Sequence, residues 1–160
     1  MNYFNFADLI NAHVMIAQIR KGEKKDLPAV LELIRELARY EKAPDEVVVT
    51  LEEMERDGFG DQPVFQFFVA LWNDKVVGMA LYYVKYSTWK GKCIFLDDII
   101  VTETFRKKGI GTLLFEAMVK VSREMKVRKL EWQVLDWNTP RLIFIKSFML
   151  ISMRNGSTAN

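Results

Sequence analysis

The chain of 160 residues has the length of one domain, so an assembly of several domains is excluded. Half of its residues are hydrophobic and 28% are charged, which is typical of a globular protein and not of a disordered one. The formal net charge of +2 gives no bulk attraction to nucleic acid, and no apolar run reaches the ~18 residues of a membrane span. We therefore expect a cytoplasmic domain without a nucleic-acid or membrane partner.

Cysteine and histidine are both scarce, and this limits the chemistry. The one cysteine, Cys93, permits no intramolecular disulfide, and the one histidine, His13, cannot form a clustered zinc site. We therefore expect no metal. Because Cys93 lies inside a predicted strand without a histidine partner in the domain, we interpret it as a buried thiol and not as a nucleophile.

The predicted elements begin at Met15. Residues 1–14 show no clear period, whereas residues 15–20 alternate apolar and polar positions as a half-buried strand does. We interpret residues 1–14 as a leader outside the fold. A helical apolar period follows Asp26, which is a candidate N-cap, and predicts a first helix that ends near Tyr40.

A second, shorter helix comes next in the prediction. Thr50 and Glu53 have the spacing of a capping box, which predicts a helix that begins after Thr50 and that Gly58 and Gly60 break. Three strand-like runs separated by two turns then predict an antiparallel meander over residues 65–72, 76–86 and 92–101.

The last predicted elements are an amphipathic helix that Gly109 begins and a strand over residues 129–135. The predicted order is therefore β-α-α-β-β-β-α-β. We place the domain over residues 15–140.

A basic, glycine-containing segment, residues 106–112, joins the third strand of the meander to the following helix; it reads Arg106, Lys107, Lys108, Gly109, Ile110, Gly111 and Thr112. Glycine lets the backbone approach a ligand closely, and unpaired amides at a helix start, together with three cations, favour a pyrophosphate. A solvated basic turn explains the isolated segment equally well. It is not a Walker loop, because no Gly-Lys-Ser/Thr follows the glycines.

The pattern R-x-x-G-x-G after a strand resembles the acetyl-CoA loop of the GNAT acetyltransferase superfamily, and the order of elements agrees with that fold. Five further segments resemble its diamine branch, the spermidine/spermine and thialysine acetyltransferases: 35–41 (RELARYE), 57–60 (DGFG), 86–91 (YSTWKG), 96–98 (LDD) and 134–138 (VLDWN). The resemblance implies the GNAT fold, an α/β (α+β) architecture with a mixed, mostly antiparallel twisted sheet flanked by helices.

The resemblance also implies how acetyl-CoA, the cosubstrate, is bound. In the family the fourth strand splays from the fifth, and its free backbone groups, here at Ile99, Ile100 and Val101, hydrogen-bond the pantetheine arm. The amides of the basic loop would hold the pyrophosphate, and Asn138 would contact the cofactor again.

Acetyl transfer needs a group that takes a proton from the attacking amine, and a carboxylate can do this directly or through water. Asp97 and Asp98 stand where the family has such carboxylates, and we take Asp97 as the base although the family often has glutamate there. Burial and the adjacent like charge are expected to raise the pKa of at least one of them. The alternative is a pair of strand-end acids bonded to backbone or to a cation.

An amine pocket is implied as well, and carboxylates with aromatic rings suit an ammonium group. Its implied residues are Tyr40, Glu41, Trp89, Asp98, Trp132 and Gln133. Alternatively, Tyr40 closes its helix and Trp89 caps an exposed hairpin. Ser87 stands where polyamine-specific members carry an acid, so a thialysine-type substrate is a better match than a long polyamine.

The family pattern breaks after residue 140. Ile145 stands where the family has a tyrosine that protonates the leaving thiolate, and residues 149–160 lack the alternation of the expected strands. Regrouped codons for residues 141–160 permit a string that resembles the family's C-terminal segment. We therefore hypothesise a frameshift near Arg141, with the C-terminal strands lost or altered; reading the DNA across these codons tests it.

The sequence thus predicts an N-acetyltransferase that moves acetyl from acetyl-CoA to a primary amine of a small diamine, polyamine or lysine-like substrate. The diamine branch also implies a homodimer. The alternative function is an acetyl-CoA-binding domain of the same fold with impaired catalysis, because the C-terminal tyrosine and strands are missing.

Overall fold

Five strands and three α-helices follow the predicted order in the computed structural model, which describes residues 17–133. The predicted leader, Asn138 and the frameshift hypothesis for residues 141–160 lie outside the described residues. In chain order the elements are β1 (Gln18–Lys21), α1 (Leu27–Tyr40), α2 (Leu51–Phe59), β2 (Gln66–Trp72), β3 (Lys75–Ser87), β4 (Gly91–Val101), α3 (Ile110–Glu124) and β5 (Lys129–Trp132).

The strands form one sheet in the order β1-β2-β3-β4-β5. The first four pair antiparallel, which confirms the predicted meander, and β5 pairs with β4 in parallel. Asn73 and Asp74 connect β2 to β3 with φ angles of 49° and 60°. Asparagine and aspartate tolerate this left-handed conformation, and such two-residue turns match the twist of a hairpin.

Apolar side chains cover both faces of the sheet. On one face, Leu114 and Met118 of α3 are fully buried in a cluster with Ile94 and Leu96 of β4. On the other face, α1 and α2 pack over the sheet, and Val30 of α1 is fully buried there. The two faces thus place α3 and the pair α1–α2 on opposite sides of β4.

The predicted cap of α2 is confirmed. The Thr50 hydroxyl accepts a hydrogen bond from the Glu53 amide at 3.2 Å, and the Glu53 carboxylate accepts one from the Thr50 amide at 2.9 Å. The predicted break at Gly58 is wrong, because α2 continues to Phe59 and Gly60 is its C-cap.

Asp26 is the N-cap residue of α1, as predicted, but its side chain does not cap the helix. Its carboxylate accepts hydrogen bonds from Arg20 Nη1 at 2.6 Å, from Arg20 Nη2 at 2.8 Å and from the Glu23 amide at 2.8 Å. The hydrogen bonds from Arg20 hold the pKa of the buried Asp26 below its usual range. The pair therefore joins β1 to the start of α1.

Candidate active site

A β-bulge in β4 defines the centre of the candidate site. Leu81 lies opposite Asp98 and Tyr82 lies opposite Leu96, so Asp97 is an extra residue that no residue of β3 opposes. The extra residue reverses the alternation of the strand: Leu96 packs on the α3 side, whereas Ile100 packs on the side of α1 and α2.

The two acids at the bulge are less buried than the sequence predicts. Asp97 is exposed and Asp98 is half-buried, so the burial expected of the catalytic carboxylate is absent at Asp97. An exposed carboxylate at a bulge has water around it. This arrangement fits the water-mediated form of the proposed proton transfer better than the direct form.

The described pairing between β4 and β5 stops beside the bulge. β5 pairs with β4 from Cys93 to Leu96, and the pairing ends where Leu96 meets Trp132. Within residues 17–133, no strand pairs with the outer edge of residues 97–101 of β4, which we call the open edge. The splaying of the fourth strand from the fifth, which the family resemblance implies, stays a prediction, because the residues after 133 lie outside the described part of the chain.

Hydrogen bonds around the end of β4 show which backbone groups line the open edge. The Thr102 amide donates to the Val77 carbonyl at 2.9 Å, so Thr102 faces β3. Arg106 Nε donates to the Val101 carbonyl at 3.0 Å, on the opposite edge of β4. Because backbone groups of successive residues point to opposite edges, those of Ile99 and Val101 face the open edge.

The same alternation corrects one predicted pantetheine contact. Ile100 lies opposite Met79 in the antiparallel ladder, so its backbone groups face β3, and its side chain is buried on the α1 side. The Val101 carbonyl already accepts the hydrogen bond from Arg106. Ile99 and the Val101 amide therefore supply the remaining backbone groups of the open edge.

Residues 106–112, which we call the phosphate loop after the ligand that the sequence predicts for them, lead directly into α3. Lys107 and Gly109 have φ angles of 61° and 78°, and Gly109 is the N-cap of the helix. Ile110 is buried in the core and fixes the first turn, while residues 106–109 are exposed. Because the first amides of a helix lack partners within it, the turn presents hydrogen-bond donors and a positive dipole to solvent.

Two aromatic rings hold cations of the phosphate loop. The Arg106 guanidinium lies 5.3 Å from the centre of the Tyr40 ring, and Lys108 Nζ lies 5.7 Å from the centre of the Trp72 ring. Sequence reasoning missed Trp72, because its strand shows only a hydrophobic run. Tyr40 was expected in the amine pocket, whereas its ring lies beside the phosphate loop.

The remaining predicted amine-pocket residues are not all brought together. Trp132 is half-buried, and its ring packs edge-on against Phe115 of α3 at 5.7 Å between centres; its expected place in the pocket stays a prediction. Gln133 is exposed directly after β5, and Glu41 is half-buried directly after α1.

Trp89 lies at the far end of the β3–β4 hairpin and is 91% exposed. Its amide and that of Lys90 donate to the Ser87 hydroxyl at 3.3 and 3.2 Å, which builds the turn. Roughly 20 Å of extended strand separates this turn from Asp97, at about 3.3 Å per residue. Within one chain Trp89 therefore lies far from the proposed base.

A charged cluster marks the paired part of β4 and β5. Glu131 Oε1 lies 2.9 Å from Lys129 Nζ, Glu131 also pairs with Lys85, and Lys85 Nζ lies 5.3 Å from the centre of the Phe95 ring. The hydrogen bonds from Lys129 and Lys85 lower the pKa of Glu131, and the Glu131 carboxylate raises the pKa of Lys85. The cluster ties three strands together beside the open edge.

Cys93 is fully buried in β4, which confirms its interpretation as a buried thiol. Among residues 17–133, no group of three or more histidine, cysteine, aspartate or glutamate side chains is arranged to hold a metal ion. In the same part of the chain, no helix has the length and apolar character to cross a membrane.

The sequence matches the acetyltransferase (GNAT) family over residues 27–148. Thialysine N-epsilon-acetyltransferase from Bos taurus is 40% identical over 135 residues, which cover 79% of this chain and 78% of the bovine protein. Spermidine/spermine N(1)-acetyltransferase-like protein 1 from Homo sapiens is 34% identical over 137 residues, which cover 81% of this chain and 20% of the human protein.

Among solved structures, an aminoglycoside acetyltransferase from an uncultured soil metagenomic sample, in complex with sisomicin, superposes with a TM-score of 0.70. It is 23% identical, and the match covers 82% of this chain and 86% of that one, so it supports the fold alone. The family match, the open edge of β4 and the phosphate loop agree: the chain belongs to the GNAT family of acetyltransferases.

Proposed function

We propose that the chain transfers an acetyl group from acetyl-CoA to the primary amine of a small lysine-like or diamine substrate, at the open edge of β4. The observation that carries this proposal is the juxtaposition of three features along one strand end. The Asp97 bulge, the backbone groups of Ile99 and Val101, and the phosphate loop follow one another in that order.

The donor set of the site suits acetyl-CoA. The backbone groups of Ile99 and the amide of Val101 at the open edge can hydrogen-bond the amide groups of a pantetheine arm, as they would the backbone of a neighbouring strand. The amides of residues 107–112, with Arg106, Lys107 and Lys108 beside them, match a pyrophosphate in charge and in hydrogen bonding. Bound there, acetyl-CoA supplies the thioester whose acetyl group is transferred.

Asp97 acts as the base in the proposed reaction. An ammonium group cannot attack a thioester until it loses a proton, and the Asp97 carboxylate accepts that proton through water. The amine nitrogen then forms a bond to the acetyl carbon and the carbon–sulfur bond breaks. The nitrogen loses a second proton on becoming an amide, and the CoA thiolate leaves and takes up one proton in its place. The exposed position of Asp97 gives water access to it.

A lysine-like amine is the preferred acceptor. Thialysine N-epsilon-acetyltransferases from Sus scrofa and Mus musculus, at 38% and 36% identity, support this choice. Ser87 supports it too, because its hydroxyl accepts two backbone hydrogen bonds in the hairpin turn and contributes no negative charge for a polyamine.

We also propose a homodimer in which the hairpin end of one chain completes the amine pocket of the other. Val84, Tyr86 and Trp89 are 45%, 79% and 91% exposed, so three large hydrophobic side chains near the end of the hairpin are accessible to a second chain. Since Trp89 lies far from Asp97 within its own chain, a role in amine binding requires a second chain.

The binding-only alternative predicts saturable acetyl-CoA binding without turnover. The catalytic proposal is favoured because several similar proteins named as acetyltransferases match most of this chain, for example 79% for the bovine relative and 76% for the mouse relative. The two functions differ in one readout, the release of free CoA.

The test is the initial rate of CoA thiol release with thialysine, ornithine and spermidine. Asp97→Asn is measured beside Asp61→Asn, a matched change at an exposed loop residue after α2. We expect turnover with a preference for thialysine, and a rate about 100-fold lower for Asp97→Asn only. Equal rates for Asp97→Asn and the unchanged chain would refute the base assignment, and binding without any turnover would support the alternative.

A further inference from the structure

Glu36 of α1 reaches across to the segment that leads from β4 to the phosphate loop. Its Oε2 atom accepts a hydrogen bond from the Thr102 hydroxyl at 3.0 Å, and its Oε1 atom accepts one from the Glu103 amide at 3.0 Å. Thr102 in turn donates its amide to the Val77 carbonyl of β3 at 2.9 Å. The carboxylate therefore fixes the two residues at which the chain leaves the sheet.

The same carboxylate helps to orient Arg106. Its Oε1 atom lies 3.7 Å from Arg106 Nη2, while Arg106 Nε donates to the Val101 carbonyl and the guanidinium lies over the Tyr40 ring. Two of these three partners belong to α1 and the third belongs to β4. Arg106 is thus held between the helix and the open edge.

We infer that Glu36 is a positioning residue for acetyl-CoA, one that connects α1 to the phosphate loop and holds Arg106 beside the loop amides. The inference rests on the proposed function, because it assigns a role toward the same cosubstrate. Without Glu36, the segment that leads into the loop loses two hydrogen bonds. Acetyl-CoA binding must then order this segment, and the entropy cost lowers the affinity.

The direction in which acetyl-CoA affinity changes when Glu36 is replaced distinguishes a positioning role from a purely electrostatic one. A carboxylate near an anion site repels a pyrophosphate, so a purely electrostatic role predicts tighter acetyl-CoA binding whenever the charge of Glu36 is removed. Positioning predicts weaker binding for Glu36→Ala. It also predicts that Glu36→Gln restores most of the affinity, because an amide can still pair with the Thr102 hydroxyl and the Glu103 amide.

The experiment is calorimetric titration of acetyl-CoA into the unchanged chain, Glu36→Ala, Glu36→Gln and Glu32→Ala. Glu32 is a matched control on the same helix, since it is exposed and pairs with Arg35 at 2.6 Å. We expect an affinity about fivefold lower for Glu36→Ala and within about twofold of the unchanged chain for the other two. In turnover, the KM for acetyl-CoA should rise more than kcat falls.

Equal affinity in Glu36→Ala and the unchanged chain, or tighter binding by both Glu36 variants, would overturn the inference. If Glu36→Ala does not fold, Thr102→Val replaces it, because this variant removes one donor and keeps the carboxylate. It should weaken acetyl-CoA binding about twofold or more, and an unchanged affinity would overturn the inference equally. Failure of the unchanged chain to bind acetyl-CoA would instead contradict the proposed function and, with it, the inference.

Discussion

Two residues of the phosphate loop adopt a positive φ, but only one of them is glycine. Gly109 has a φ of 78°, and a Cβ placed there meets nothing within 4 Å, so a side chain costs backbone strain alone. Lys107 bears such strain already at a φ of 61°. The loop therefore has two residues in the left-handed conformation: Gly109 adopts it without strain, and Lys107 adopts it with strain.

We expect Gly109→Ala to lower the free energy of unfolding by about 1 kcal/mol and to weaken acetyl-CoA binding, because the strained residue shifts the amides of the first helical turn. Lys107→Gly should leave stability nearly unchanged, since the relief of strain is offset by the larger entropy of the unfolded chain. Urea unfolding of both variants measures the difference. Equal losses of stability would contradict this view of the loop.

The ion pair of Asp26 with Arg20 gives a pH-dependent contribution to stability. The pKa of Asp26 is lower in the folded chain than its unfolded value of about 3.9. Its contribution is therefore fully present above that value and is lost as the pH falls through the folded pKa. Asp26→Asn should lower the free energy of unfolding by about 2 kcal/mol at neutral pH, with a smaller difference below about pH 4. Chemical unfolding at a series of pH values tests this, and a difference that does not depend on pH would contradict it.

At the scale of elements, β4 is the part of the fold that makes the site. Within residues 17–133 it is paired on both sides from Cys93 to Leu96, carries a bulge at Asp97, and is paired on one side from there to Val101. Sequence periodicity located this strand within one residue of its true bounds. It could not locate the bulge, because the bulge exists only in the register between two strands.

The charged cluster that holds β5 to its neighbours should respond to acid in the same direction as Asp26. The pKa of Glu131 is lowered by Lys129 and Lys85, so its contribution is present above an unfolded value of about 4.3 and is lost as the pH falls through the folded pKa. We expect Glu131→Gln to speed hydrogen exchange of the β5 amides at neutral pH and to have no such effect in acid. Glu116→Gln, at an exposed position of α3, is the control. Equal exchange in both variants at neutral pH would refute a role for the cluster.

At the scale of the whole molecule, local signals predicted the elements and long-range contacts escaped prediction. The capping box of Thr50 and Glu53 acts over three residues, so the sequence displays it. The bond between Glu36 and Thr102 joins residues 66 positions apart, and no local pattern encodes it. The side of the sheet on which the Trp132 ring lies could not be predicted either. β5 is only four residues long, and its alternation of apolar and polar residues does not reveal which face is buried.

The proposed homodimer predicts a linked loss of assembly and activity. Replacing Trp89 by serine should shift the chain from dimer to monomer in sedimentation equilibrium and raise the KM for the amine, while the affinity for acetyl-CoA stays unchanged. The physical reason is the loss of a large, 91% exposed ring from the end of the hairpin, where the second chain is proposed to bind. A monomeric unchanged chain, or a dimer unaffected by the substitution, would contradict the proposed arrangement.

We propose above all that the open edge of β4 and the phosphate loop together hold acetyl-CoA for acetyl transfer to an amine. Calorimetric titration of acetyl-CoA into the chain tests it most directly, with Gly109→Val as the variant that forces a β-branched side chain into a positive φ. We expect saturable binding at one site per chain, and weaker binding by Gly109→Val. An absence of saturable binding, or equal binding by the two proteins, would contradict it.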